Sequence, residues 1–408
     1  MNIKFVDGGN VTSPQGFLAS GIYCGIKKSN LKNDLALVYS EVPATAAGVF
    51  TKNKVKGAPV YISKEHLANK KAQAIIVNSG NANTCTGDDG LNKAKKMALL
   101  QAKELNLKAD DVLVASTGVI GVPLNIDAIK NGIPLLTEKL SKNGFDEASS
   151  AIMTTDTFKK QAAIEFTAGG KTVTIGCMAK GSGMIEPNMG TMLSFITTDI
   201  SIAPELLDEA LKAAVNVTYN RVSVDGDTST NDSVMILANG LAKNKTITEK
   251  NEDYNTFLEA LTTLSTHIAK NIAKDGEGAT KLLECQIIGA ATEKDAVILG
   301  KSVINSSLVK TAMFGSDANW GRILCALGYA KIKFDPDKVD VSFESCAGSI
   351  NVCKNGSSVD FSEDKAKEIL TQDEIVIKVE LNCGDASAYV WGCDLSYEYV
   401  KINGDYRS

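Results

Sequence analysis

The chain has 408 residues, is 44% apolar and 22% charged, and carries a net charge of −5. That length exceeds the usual single domain, so two domains or lobes are expected, and the acidic balance without a basic cluster argues against a nucleic-acid partner. No unbroken apolar run is long enough for a membrane span, and the start Met1-Asn-Ile-Lys-Phe-Val-Asp-Gly-Gly9 lacks the apolar core of a signal peptide, so a cytoplasmic location is expected.

In chain order, Ala74–Val77 and Val112–Ala115 read as strands. Between them Leu91, Ala94, Ala98, Ala102 and Leu105 recur at helical spacing, giving a strand–helix–strand unit. Ala162–Thr167, a Gly-Gly turn and Thr172–Gly176 read as a β-hairpin whose second strand leads into a glycine-rich loop. Leu193–Ile196 reads as a buried strand. Pro204 opens a helix from its first turn, and Tyr254–Ile272 is a second helix. Glu284–Ala290 is a strand, and Lys294–Ala312 is partly helical in spacing. From Tyr329 strand patterns dominate: Ala330–Phe334, Val339–Phe343, Ile375–Leu381 and Ala388–Gly392, interrupted by a helix at Ser362–Thr371. The pattern predicts an α+β layered fold with a smaller C-terminal lobe from about residue 329.

The stretch Lys180-Gly-Ser-Gly-Met-Ile-Glu-Pro-Asn-Met-Gly-Thr-Met-Leu193 carries the most chemistry. A Gly190–Thr191 bond in a taut turn can break itself. The Thr191 hydroxyl attacks the preceding carbonyl, the acyl group moves from nitrogen to oxygen, and water releases the ester. The new chain begins with an amine beside its own hydroxyl, which activates a threonine without histidine. Histidine is scarce: His66 lies in a Lys-rich run and His267 in a helical pattern. Both read as surface or helix-packing residues, so a Ser-His-Asp or Cys-His arrangement is a poor fit.

The other glycine-rich loops are weaker signals. Glu186 stands where a G-x-G-x-x-G loop needs its third glycine, and Asp275-Gly-Glu-Gly-Ala-Thr-Lys281 lacks phosphate-loop spacing. Asn78–Gly87 and Ser116–Gly121 follow the two strands of the first unit, a natural place for a site. There the Thr117 hydroxyl and the Gly118 N–H could stabilise an oxyanion, although composition alone favours a plain strand-ending turn. Asp225, Asp227 and Asp232 hint at a cation site but fail the EF-hand frame, and loop hydrogen bonding around a site fits better. Nine cysteines without a C-x-x-C pair suit reduced thiols, not zinc, and Cys177 reads as a small buried apolar residue. No metal and no cofactor is expected.

Taken together, the chain resembles the ornithine acetyltransferase (glutamate N-acetyltransferase) family. The resemblance runs over nearly the whole length. It is carried by Asn78-Ser-Gly-Asn-Ala-Asn83, Ser116-Thr-Gly-Val-Ile-Gly121, Met153-Thr-Thr-Asp156, Lys180-Gly-Ser-Gly-Met184, Thr191-Met-Leu193, Ser223–Asn231, Asp275–Lys281, Asn319-Trp-Gly-Arg322 and Ile402–Ser408. One departure is Gly190, where the family usually has Ala. The resemblance implies a self-processing, N-terminal-nucleophile-like fold. It implies a cut at Gly190–Thr191 into chains 1–190 and 191–408, with two such pairs associating. It further implies a ping-pong reaction in arginine biosynthesis. Thr191 takes acetyl from N2-acetylornithine, ornithine leaves, and glutamate accepts the acetyl as N-acetylglutamate. The implied oxyanion pair is Thr117 and Gly118, and the implied substrate contacts are Thr154, Lys180, Thr191, Glu277, Asn403 and Ser408. Lys180 suits an α-carboxylate and Glu277 an ammonium. Some members also load acetyl from acetyl-CoA, a co-substrate for which no separate signature is visible here. The alternatives are a related self-processing aminopeptidase and an uncleaved, non-catalytic binding protein.

Overall fold

Runs rich in Val, Ile and Ala build the larger of two sheets in the computed structural model, which describes residues 3–28, 32–186 and 192–405. Its strands are β1 (Lys4–Phe5), β2 (Phe17–Ile22), β3 (Leu35–Phe50), β4 (Lys71–Asn81), β5 (Val112–Val119), β6 (Lys160–Ala168), β7 (Lys171–Lys180), β8 (Leu193–Thr198) and β9 (Ser233–Ala238). The order is β1-β6-β7-β8-β9-β3-β4-β5, with β2 paired to β3. The expected hairpin is β6–β7, and the strand–helix–strand unit is β4, the helix Gly87–Glu104 and β5.

Successive side chains on a strand point to opposite faces, and here both faces are covered. On β7, Val173, Ile175, Cys177 and Ala179 join Ile164, Ile196 and Ile236 beneath the helices Pro204–Val217 and Glu252–Lys274, while Met178 packs on the other face with Phe195, Met235 and the helix Phe145–Ile152. Burial on both sides is why these strands read as continuous apolar runs. The helix Glu252–Lys274 starts where the Asn251 side chain accepts from the Tyr254 N–H, and its stripe Phe257, Leu261, Leu264, Ile268 and Ile272 is fully buried.

The second sheet contains β10 (Leu282–Ala290), β11 (Asp340–Ser345), β12 (Gly348–Lys354), β13 (Ser357–Ser358), β14 (Glu374–Glu380) and β15 (Ala386–Cys393), in the order β13-β12-β11-β14-β10-β15. Helices Glu293–Asn305, Trp320–Gly328 and Glu363–Leu370 close a separate core around Ile287, Leu299, Ile323, Phe343 and Ile377. The segment 330–334, expected as a strand, is irregular chain. Lys331 has a φ of 58°, a left-handed conformation that breaks the pleat. Ile332 and Phe334 still pack on this core, so their alternation reflects burial without ladder pairing. Among the described residues no helix is long and apolar enough to cross a membrane.

Candidate active site

The sheet topology brings distant segments to one cavity of about 110 Å³, lined by Thr117, Gly118, Thr154, Lys180, Glu277 and Asn403. The expected site residues that lie among the described residues therefore come together around one space. Gly190, Thr191 and Ser408 lie outside the described residues. Lys180 ends β7 opposite Leu193, and Leu193 opens β8 beside Ser233 of β9.

Thr117 and Gly118 lie near the end of β5, in register with Ser79 and Gly80 of β4. The Gly118 φ is +131°, and a Cβ there would lie 2.4 Å from the Gly80 carbonyl carbon and 2.5 Å from the Asn81 nitrogen. Only glycine fits both the torsion and the space. The Lys180 Nζ lies 3.5 Å from the Thr117 Oγ1.

Lys180 is 4% exposed. Burial pushes its ammonium below the ordinary lysine value, and Asp156, 4.0 Å away, opposes that drift. Asp156 in turn accepts from the Gly181 N–H (2.7 Å), the Thr154 N–H (3.0 Å) and Lys160 Nζ (2.7 Å). Burial alone would raise its carboxyl, but Lys180 and Lys160 outweigh it and hold the group well below the usual carboxylate range. Lys160, itself fully buried, also reaches Asp275 at 2.5 Å, and Asp275 accepts from the Thr157 N–H at 3.0 Å. The two buried lysines and two buried aspartates thus alternate, so each charge has an opposite neighbour.

Glu277 projects from the turn after the helix Glu252–Lys274. Its N–H donates to the Ser182 carbonyl at 3.0 Å, and its Oε2 accepts from the Asn403 Nδ2 at 2.7 Å. A Cβ on Gly183 would sit 2.2 Å from the Glu277 carboxyl carbon, so the glycine leaves room for that carboxylate. Asn403 arrives on the C-terminal helix Tyr397–Asp405. Asn231 closes the cavity wall, donating to the carbonyls of Ala82 (2.6 Å) and Ser116 (3.0 Å) while accepting from Thr84 and Thr230.

Both histidines lie elsewhere. His66 is buried, its Nδ1 2.8 Å from the Val112 carbonyl, and His267 packs its ring against Phe5. Cys177 is buried against Ser194 and Tyr219, and burial pushes its thiol up to about 11. Asp225 accepts the N–H groups of Met184 and Ile185 at 2.7 and 2.8 Å, the loop-tying role expected of it. Among the described residues no group of three His, Cys, Asp or Glu side chains could hold a metal ion.

Sequence reasoning gave no role to Asp156, Lys160, Asp275 or Asn231. Asp156 and Lys160 are four apart with opposite charge, but that spacing says nothing about burial. A larger cavity, about 700 Å³ over the second sheet near Glu344, Lys378 and Glu380, contains none of these residues. Convergent polar groups are a better guide here than size.

Residues 18–408 match the ArgJ family. The arginine biosynthesis bifunctional protein ArgJ of Caldanaerobacter subterraneus subsp. tengcongensis is 53% identical, over 98% of this chain and 99% of its own. ArgJ 1 of Clostridium acetobutylicum is also 53% identical, over 100% of this chain and 99% of its own. The crystal structure of the Bacillus halodurans bifunctional protein argJ is 45% identical with a TM-score of 0.51, covering 52% of this chain and 99% of that one. A match of this depth, running through every segment that lines the cavity, establishes that the chain belongs to the ArgJ family.

Proposed function

We propose that this protein is a cytoplasmic acetyltransferase of arginine biosynthesis that cuts itself at Gly190–Thr191 and then uses Thr191 as an acetyl carrier. The Thr191 hydroxyl attacks the acetyl carbon of N2-acetylornithine. Its proton passes to the Thr191 amine, directly or through water, and on to the departing ornithine nitrogen. Thr117 and Gly118 receive the developing oxyanion. Glutamate then attacks the acetyl-threonine ester, and the hydroxyl is regenerated as N-acetylglutamate leaves.

The observation that carries this reading is one small cavity with Lys180 and Glu277 as opposite charges beside the Thr117–Gly118 pair. Both substrates bring an α-carboxylate, which suits a buried ammonium, and ornithine adds a side-chain ammonium, which suits Glu277. Thr154 flanks the same space. Asn403, and Ser408 from the C-terminal end, add neutral hydrogen bonds.

Two further observations support separate chains 1–190 and 191–408. β8 and β9, from the second part, sit between β7 and β3, from the first, so strand pairing would keep cut pieces together. The Bacillus halodurans chain is covered almost end to end yet accounts for only 52% of this one, as a two-chain relative would. Two copies of each chain are proposed to associate. The relatives' title "bifunctional" supports a second loading of Thr191 from acetyl-CoA. No other cofactor is proposed.

Thr191→Ala should leave one uncut 408-residue chain without transfer. Intact mass of the fragments and capture of an acetylated Thr191 peptide test the intermediate. Assay with acetyl-CoA and glutamate alone tests the second donor. A Thr191→Ala protein that is still cut and active overturns the assignment.

A further inference from the structure

Two exposed apolar residues, Ile120 and Met184, stand among the polar groups that line the cavity of about 110 Å³. Single apolar residues on a surface are ordinary, but Met184 is held in place against its own preference. Its φ is +58°, a left-handed conformation that side chains other than glycine and asparagine seldom adopt. The surrounding bonds impose it. The Met184 and Ile185 N–H groups both donate to the Asp225 carboxylate, at 2.7 and 2.8 Å. The Ile185 carbonyl accepts from the Val224 N–H at 2.7 Å, and the Glu186 N–H donates to the Asp227 carbonyl at 2.9 Å. Ile185 itself is fully buried in the main core. Backbone strain that is overdetermined in this way collects at ligand-binding positions.

The position beside Glu277 defines what Met184 meets. Gly183, one residue earlier, lies so close to Glu277 that a Cβ would sit 2.2 Å from the carboxyl carbon. Among the described residues Glu277 is the only acid in the cavity lining. An ammonium seated on that carboxylate brings with it the methylene that bears it. Such a carbon gains from burial only against an apolar surface. The Met184 thioether chain, unbranched and adaptable, is such a surface.

We propose that Met184 sets the chain length of the acetyl donor, an inference that rests on N2-acetylornithine binding in this cavity. Its side chain covers the methylenes that lead to the terminal ammonium and occupies the space a longer chain would need. Ile120, two residues after Gly118, adds a second apolar surface to the same cavity. Glutamate carries no terminal ammonium to place on Glu277, so it depends on Met184 less.

The test compares N2-acetylornithine with N2-acetyllysine, one methylene longer, as donors to glutamate with the purified protein. Wild type should favour N2-acetylornithine by about tenfold or more in kcat/KM, the discrimination one methylene gives in a fitted pocket. Met184→Gly should lose most of that preference and raise KM for N2-acetylornithine, while KM for glutamate moves less. Met184→Leu, still apolar and of similar size, should keep the wild-type preference. Glycine accepts a φ of +58° freely, so the Gly variant should melt near or above wild type. A merely structural role would move stability and leave donor preference alone. Met184→Gln keeps the reach of the side chain and should also raise KM for N2-acetylornithine, a second readout independent of the Gly variant. Gly and Gln variants with the wild-type KM and donor preference overturn the proposal, as does a wild type that uses both donors equally. A wild type that transfers no acetyl from N2-acetylornithine overturns the reading beneath it, which is a distinguishable result.

Discussion

Replacing Asp156 with Asn tests the buried charge alternation behind the cavity. The substitution keeps the shape and removes the charge. Lys160 keeps Asp275 at 2.5 Å, but Lys180 loses the carboxylate 4.0 Å away, and an Asn amide would present a donor to the Thr154 or Gly181 N–H. Removing one partner of a buried pair costs about 3–5 kcal/mol. Because Lys160 retains an anion, the lower end, about 3 kcal/mol, applies. At about 2.1 cal/mol/K per residue, a 408-residue chain unfolding as one would show a melting-temperature drop of about 3–4 °C. Scanning calorimetry in a Thr191→Ala background, where one continuous chain is expected, measures it. The sign with pH follows from the depressed Asp156 carboxyl. Its stabilisation is present above the unfolded pKa of about 3.9 and is lost as pH falls through the lower folded value. The gap between variant and parent should be full at pH 7 and shrink in acid. A drop of less than about 1 kcal/mol at pH 7, or a gap that persists in acid, would refute the reasoning.

Other perturbations reach the cavity directly. Gly118→Ala places a Cβ 2.4 Å from the Gly80 backbone at a φ of +131°, so the Thr117–Gly118 segment must shift. Transfer should fall about 100-fold or more, read as kcat with the fold checked by circular dichroism. Glu277→Gln can still accept from Asn403. It should therefore raise KM for N2-acetylornithine about tenfold or more while changing KM for glutamate less. Lys180→Met should lower kcat/KM for both substrates by a comparable factor, since both lose the partner of the α-carboxylate; an effect confined to one substrate would argue against that role.

Much of the main sheet was legible because its period is local. The β6–β7 hairpin, β4, β5 and the helix Glu252–Lys274 follow from runs and spacing within about 20 residues. The strand Ser233–Ala238 was not picked out, although Val-Met-Ile-Leu is apolar, because the polar run before it drew attention to turns. The 16-residue β3 escaped for a different reason. Its first half pairs with β4 and its second with β9, and the Ser40-Glu-Val-Pro43 stretch between them carries a register shift that blurs any alternation. The 330–334 alternation failed in the opposite sense: its apolar residues are packed, but Lys331 turns the backbone away from a strand.

The site divides along the same physical line. Thr117, Gly118, Lys180, Glu277 and Asn403 carried recognisable motifs. Three aspartates in the 221–232 run looked alike in sequence yet meet different fates. Asp225 is spent on the Met184 and Ile185 N–H groups, Asp227 is exposed and its carbonyl accepts the Glu186 N–H, and only Asp232 is buried. What separates them is the parallel register of β8 on β9, which sets Asp232 beside Met192. That register pairs strands about 40 residues apart in sequence, so no local stretch encodes it. The burial of a carboxyl depends here on long-range pairing, which is why the motif residues could be read one by one and the separate fates of these aspartates could not.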